Sequence, residues 1–232
     1  MKNIAKLFFV TFFLSIVFNI SAQKSLFSFG FKAGVNVSNL AMDFNDIYYN
    51  TLGDKELKVG FNVGVTAEYF ISESFAVQSG LSYTTKGASI KGKERWIPSG
   101  ETHSKYTINL EYLQIPLLGI YKINIAPDSK VFFNAGPYIA YGIGGKITKK
   151  NKYVDLDSPD DKEKMNSFGD RTFKKFDFGL IGGVGAEYER FVLTLDYELG
   201  LMDIARRDDK IFHMNSLEFR NRNVSLSFGY KL

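Results

Sequence analysis

The chain has 232 residues, with 29 Lys and Arg against 25 Asp and Glu, a net charge of +4 and no cysteine. That length fits one all-β domain as readily as two small ones, and the missing thiols exclude a disulfide framework, thiolate catalysis and cysteine-bound metal. The slight positive excess argues against nucleic acid as a partner.

Lys2 and Lys6 precede an apolar run from Leu7 to Ile20, which Ser21, Ala22 and Gln23 follow. A basic start, an apolar stretch and small residues at a cut form the layout of a secretory signal peptide. A membrane anchor, the competing reading, needs roughly 20 apolar residues. Residues 1–22 are therefore expected to be removed after Ala22, leaving a domain of residues 23–232 with net charge +2.

Eight strands are predicted in the mature domain. Phe27, Phe29, Phe31, Ala33, Val35 and Val37 alternate with polar and small residues, and so do Val59 to Ile71 and Phe75 to Lys86. Tyr106 to Ile123 and Val131 to Ile143 supply the fourth and fifth, Phe176 to Tyr188 and Phe191 to Leu201 the sixth and seventh, and Asn223 to Leu232 the last. Period 2 means β, because successive side chains on a strand point to opposite faces. A soluble sandwich would explain the alternation. It would not explain strands of ten or more residues, against a usual length near 5–6, or Gly and Ser on the polar face. An eight-stranded antiparallel transmembrane up-and-down β-barrel explains both, with apolar side chains toward lipid and polar ones toward a lumen. Ser72–Ser74, Asn124–Ser129 and Glu189-Arg190 are predicted as short periplasmic turns. Asn39–Leu57, Ala88–Lys105, Lys146–Lys175 and Asp203–Asn221 are predicted as long extracellular loops. In a closed barrel the last strand is bonded on both edges, which accounts for an alternation running to Leu232. Tyr69, Tyr83, Tyr188 and Tyr230 fall near strand ends, as an interfacial aromatic girdle requires.

The stretch EYLQIPLLGIYKI, Glu111 to Ile123, resembles the Tyr-Leu-Glu-Ile-Pro-Leu-Leu signature of the PorT-like outer-membrane β-barrel family, with Gln114 in place of the usual Glu. AGPYIAYGI (Ala135–Ile143) and FDFGLIGGVGAEY (Phe176–Tyr188) are similar to that family's Gly-Pro and Gly-rich strands. The resemblance implies an eight-stranded barrel in the outer membrane of Gram-negative bacteria. The family's founding member is associated with a protein-secretion system, which makes an accessory role in secretion or assembly the alternative function; a shared fold does not transfer that role. Within the same stretch, Tyr106, Ile108, Leu110 and Tyr112 have even parity, whereas Leu113, Ile115, Leu117, Tyr121 and Ile123 have odd parity. Keeping both sets on the lipid face requires a β-bulge near Tyr112.

No catalytic, metal or cofactor site is expected. His103 and His213 are the only histidines, both in predicted loops. His103 and Ser104 would point to opposite faces of an extended chain, which is poor geometry for a nucleophile and its base. Asp155–Asp161 (DLDSPDD) lacks the Gly and terminal Glu of an EF-hand and reads as a solvated acidic loop. GIGG and GLIGGVG sit in strands with no helix after them, so they are not phosphate loops. Eight strands leave a lumen just wide enough for side chains, which excludes a general porin. What remains is a structural, binding or scaffolding protein, with outer-membrane lipid, lipopolysaccharide and other envelope proteins as partners. Phe44, Tyr48, Tyr49, Trp96 and Phe212 in the loops suit such contacts.

Inward parity falls on Lys32, Lys58, Glu68, Lys86, Asp177, Glu187, Asp196, Glu198 and Lys231. Of these, Lys32, Glu68, Glu187, Asp196 and Glu198 are the candidate lumen charge network. A buried charge without a partner costs several kcal/mol. A mid-lumen pair of Lys32 with Asp196 or Glu198 is expected, the alternative being separate hydration of each charge by trapped water.

Overall fold

The computed structural model describes residues 26–43, 55–96, 100–154, 161–169, 172–205 and 218–232. The predicted signal peptide, Phe44, Tyr48, Tyr49, Phe212, His213 and most of the acidic loop lie outside the described residues. Eleven strands form one antiparallel sheet: β1 (Phe27–Asp43), β2 (Lys55–Glu56), β3 (Lys58–Phe70), β4 (Phe75–Trp96), β5 (Gly100–Ala126), β6 (Ser129–Gly144), β7 (Lys146–Val154), β8 (Asp161–Asn166), β9 (Phe176–Tyr188), β10 (Phe191–Gly200) and β11 (Glu218–Lys231).

Pairing runs from β4 through β3, β1, β11, β10, β9 and β6 to β5, and β5 pairs again with β4, so these strands close into a ring. The C-terminal strand is bonded on both edges. Gly30↔Lys231 through Asp43↔Glu218 join it to β1, and Phe191↔Tyr230 through Leu199↔Arg222 join it to β10. The connections at residues 71–74, 127–128 and 189–190 are tight and share one end with the start of β1 and the end of β11. In the two-residue turn Glu189-Arg190, Glu189 takes a φ of 52°, and its N–H donates to Asp128 O at 2.9 Å, linking two neighbouring turns.

The ring is inside-out by the standards of a water-soluble sheet. Phe31, Val35, Phe61, Leu117, Leu195, Leu226 and Phe228 are exposed on the outer face, while Asn36, Glu68, Asp177, Glu198 and Asn223 are buried on the inner one. Period-2 alternation accounts for both facts, because one register puts the odd-numbered residues from Phe27 to Ala41 outside and the even-numbered ones inside.

Two expectations need correction. β5 carries no bulge against β4: its register is constant from Trp96↔Gly100 to Phe75↔Tyr121. The irregularity lies across from it on β6, where the pairing passes from Tyr112↔Gly142 to Glu111↔Gly144 and leaves Ile143 as the extra residue. Ile108, Leu110 and Tyr112 therefore stay on the inner face, fully buried. The alternation changes sign there because the interior turns from polar to apolar, not because the strand changes phase.

The second correction concerns the loops. β4 and β5 run on as a paired hairpin through most of the stretch predicted as a loop at Ala88–Lys105, and β7 and β8 occupy much of Lys146–Lys175. β2 joins β4, β7 joins β5 and β8 joins β7, so an extension of five strands continues past the ring. Gly145 makes the swivel from β6 into β7 at a φ of 130°, which a side chain rarely adopts. The loop end is plugged by Leu40, Ile90, Ile108, Leu110, Ile147 and Phe173 with their neighbours, Phe173 meeting Phe219 edge-on at 5.8 Å. Ala76, Ile120 and Phe132 form a smaller cluster toward the turn end. The ionisable side chains lie between and below these apolar layers.

Candidate functional site

Two charge clusters occupy the interior, one nearer the turns and one beneath the apolar plug. In the first, Lys122 of β5 and Lys231 of β11 face Glu68 of β3 and Glu187 of β9. Lys122 Nζ pairs with Glu68 Oε1 and lies 3.1 Å from Glu187 Oε2. Lys231 Nζ lies 3.1 Å from Glu68 Oε2 and 2.6 Å from Glu187 Oε2. Each charge thus has two opposite neighbours, and the set is neutral. Both ammonium groups also sit over the Phe70 ring, 4.8 and 5.8 Å from its centroid, an arrangement favourable to a desolvated cation.

In the second cluster Lys86 of β4 is completely buried. Its Nζ lies 2.7 Å from Glu198 Oε2 and donates to Gln114 Oε1 at 2.8 Å, while Gln114 Nε2 donates to Glu198 Oε1 at 3.0 Å. The ammonium stands 4.4 Å from the Tyr138 ring centroid. Tyr138 O–H and Asn221 Nδ2 both donate to Asp177 Oδ2, at 3.1 and 2.9 Å, and Asn221 Nδ2 also reaches the Tyr112 hydroxyl at 3.4 Å. Asn36 Nδ2 of β1 donates to Asn223 Oδ1 at 3.0 Å and to Thr85 O at 2.7 Å. Every strand of the ring thereby contributes to the interior polar network.

Between the clusters, Asp196 accepts from Asn134 Nδ2 at 2.9 Å. Gly183 lies directly across from Asp196, and any Cβ at that position would run into its carboxylate. Lys32, Thr66, Gln78, Asn134, Thr194 and Asp196 line a cavity of about 40 Å³, room for about three or four waters at roughly 10–15 Å³ each.

The five candidate charges all face inward, but the expected Lys32 pair is not formed. Glu198 is held by Lys86, Asp196 by Asn134, and among the described residues no carboxylate comes within ion-pair distance of Lys32. The register supplies the reason. Lys32 is level with Val192 through Gly229, whereas Asp196 is level with Asn36 through Ser225. The four-residue offset amounts to about 13 Å along the strand. Lys86, Asp177 and Lys231 carried the inward signal in the sequence without being assigned to the network. Lys122, Gln114, Tyr112, Tyr138, Asn134 and Asn221 were missed altogether. The even parity of β5 would have found Lys122 and Gln114, since they alternate with the outward Leu113, Ile115, Leu117 and Tyr121.

The profile of the outer membrane protein beta-barrel domain family matches residues 21–206. The chain belongs to that family. Among solved structures, this outer-membrane β-barrel protein is similar to Ail, the attachment invasion locus protein of Yersinia pestis, at 13% identity and a TM-score of 0.38 over 88% of this chain and 98% of that one. It is similar to OprG from Pseudomonas aeruginosa at 12% identity and a TM-score of 0.46 over 88% and 95% of the two chains. For outer membrane protein W of E. coli the values are 16% and 0.39 over 90% and 100%. No match was found among curated proteins. For this outer-membrane protein the buried ions act as internal braces between strands. Lys86 with Glu198, and Lys122 and Lys231 with Glu68 and Glu187, engage one another across the interior.

Proposed function

We propose that the protein is an eight-stranded transmembrane up-and-down barrel of the Gram-negative outer membrane, exported by its signal peptide. Its lumen is closed by its own side chains, and it serves as a structural, binding or scaffolding component of the envelope through the sheet above its loop end. The observation that carries this reading is the inside-out ring: Lys86, Asp177 and Glu198 are buried while a continuous apolar face is exposed. Only a hydrocarbon surround makes that distribution favourable. Short turns then lie on the periplasmic side and the extension on the extracellular side. The partners are outer-membrane lipid, lipopolysaccharide and other envelope proteins, and the role is non-catalytic. Within the PorT-like segment, Ile115 and Leu117 face outward and Leu118 packs inside. Those residues serve the wall and by themselves carry no secretion role.

The test joins two assays. Folded protein extracted from outer membranes should migrate anomalously on gels until it is heated, and recovery from the soluble periplasm without detergent would overturn the membrane assignment. Liposomes containing purified protein should swell in sugar solutions no faster than empty ones, given a cavity of about 40 Å³. A steady large conductance in planar bilayers would overturn the closed lumen.

A further inference from the structure

Register aligns four lysines on four consecutive strands of the extension: Lys91↔Lys105 between β4 and β5, Lys105↔Lys150 between β5 and β7, and Lys150↔Lys162 between β7 and β8. Neighbouring strands lie about 4.8 Å apart, so the row spans about 14 Å. Like charges directly opposite one another across a sheet are destabilising, and a run of four needs an anion. Glu56 supplies part of one, its carboxylate reaching Lys91 at 2.5 Å and Lys105 at 3.1 Å. Among the described residues no carboxylate comes within ion-pair distance of Lys150, Lys162 or the adjacent Lys164, all of them exposed. Protection of a sheet edge by lysine would explain Lys162 and Lys164 on β8, the last strand of the sheet. It does not explain Lys105 and Lys150, which have a strand on each side.

The direction of the row decides what it meets. The register of β5 against β4 is unbroken from Leu113 to Lys105, so the lysines share the face that carries the outward apolar residues below. The opposite face of the same strands buries Ile90, Ile108 and Ile147 in the plug. At 3.3 Å per residue and a tilt of about 40°, Lys105 stands about 20 Å above Leu113, the last outward apolar residue of β5. That is the level of lipid sugars and above that of acyl chains, and the row looks sideways over the neighbouring lipid.

We propose that this row binds the phosphate-bearing sugar headgroup of an anionic glycolipid in the surrounding outer leaflet, a site that rests on the transmembrane reading above. The test uses the full mature protein in phosphatidylcholine nanodiscs doped with a rough-type lipopolysaccharide whose core is phosphorylated, with glycolipid retention read by native mass spectrometry. The double variant Lys150→Glu/Lys162→Glu should retain about tenfold less glycolipid, while the matched reversal Lys130→Glu/Arg190→Glu at the turn end should leave retention unchanged. Enzymatically dephosphorylated glycolipid should be retained by the wild type no better than intact glycolipid is by the Lys150/Lys162 variant. Equal retention by wild type and variant, or indifference to dephosphorylation, would overturn the site. Tight binding of soluble heparin at the row without glycolipid enrichment would overturn the lipid assignment in favour of a soluble polyanion. Heat-modifiable migration reports folding for each variant, and Lys150→Gln/Lys162→Gln replaces the reversal if that one fails to fold. A wild type that cannot be inserted at all refutes the barrel reading, and an inserted wild type indifferent to phosphate refutes only the site.

Discussion

Replacing Lys86 by Met would remove the only cation that touches Glu198 among the described residues, while keeping much of the stem volume. The ammonium lies 2.7 Å from Glu198 Oε2, a Coulomb attraction of about 6 kcal/mol at an effective dielectric of about 20. Part of that is offset in the wild type by the cost of dehydrating both ions. Removing one partner of a buried pair reverses the balance, because the remaining charge stays buried without compensation; the expected loss is about 3–5 kcal/mol. For a domain of this size each kcal/mol shifts the melting temperature by roughly 2–4 °C, so Lys86→Met should lower it by roughly 6–20 °C. Glu198→Gln in the Lys86→Met background should recover most of the loss, since a neutral amide can still bond Gln114 and no orphaned charge remains. The assay is loss of the compact gel band with temperature in detergent, checked by far-UV circular dichroism. The reasoning is refuted if Lys86→Met melts with the wild type, or if the double variant loses as much as the two single changes together.

Lys32→Met should cost much less than Lys86→Met in the same assay, because Lys32 is half-buried beside a cavity with room for water and makes no ion pair among the described residues; equal losses would restore the pairing of Lys32 with Asp196. Gly183→Ala should destabilise by about 1–3 kcal/mol through overpacking, since its Cβ would collide with the Asp196 carboxylate and with the Leu195 carbonyl oxygen, and combination with Asp196→Ala should relieve only the side-chain part of the effect; a melting point unchanged by the single substitution would contradict it. Hydrogen bonds from Lys91, then from Lys105, hold the Glu56 carboxyl below its ordinary value. A lowered folded pKa means that this clasp between β2 and the β4–β5 hairpin contributes fully above the ordinary carboxylate range and is lost as pH falls through the lowered value. A carbon-detected NMR titration of Glu56 should show a midpoint below that of free Glu, and Lys91→Ala/Lys105→Ala should return it there.

The strands and their inner and outer faces were legible because period 2 is a local property. Phe27 to Val37 and Asn223 to Leu232 declare which side is apolar without reference to any other residue. Closure was legible too, since a strand as sharply patterned as β11 must be bonded along both edges. What lies above the apolar band was not. Ahead of Tyr106 on β5, and along most of β7 and β8, few apolar residues recur at alternate positions, and a paired strand reads like a loop of lysines, serines and threonines. Ile108, Leu110 and Tyr112 misled for a related reason: parity says that residues share a face, and only the packed interior says whether that face is polar or apolar.

Parity likewise put Lys86, Asp177, Glu187, Asp196 and Glu198 inside the ring, and this was a result of the sequence alone. Which of them touch was decided by the tertiary structure. Contact across a lumen depends on height, and height depends on the stagger of every strand between two residues around the closed wall. One residue of slip in any pairing would reassign the neighbours of Lys86. The local pattern contains no term for that slip, whereas closure of β4 against β5 allows one value, and with it Lys86 meets Glu198 and Lys32 does not.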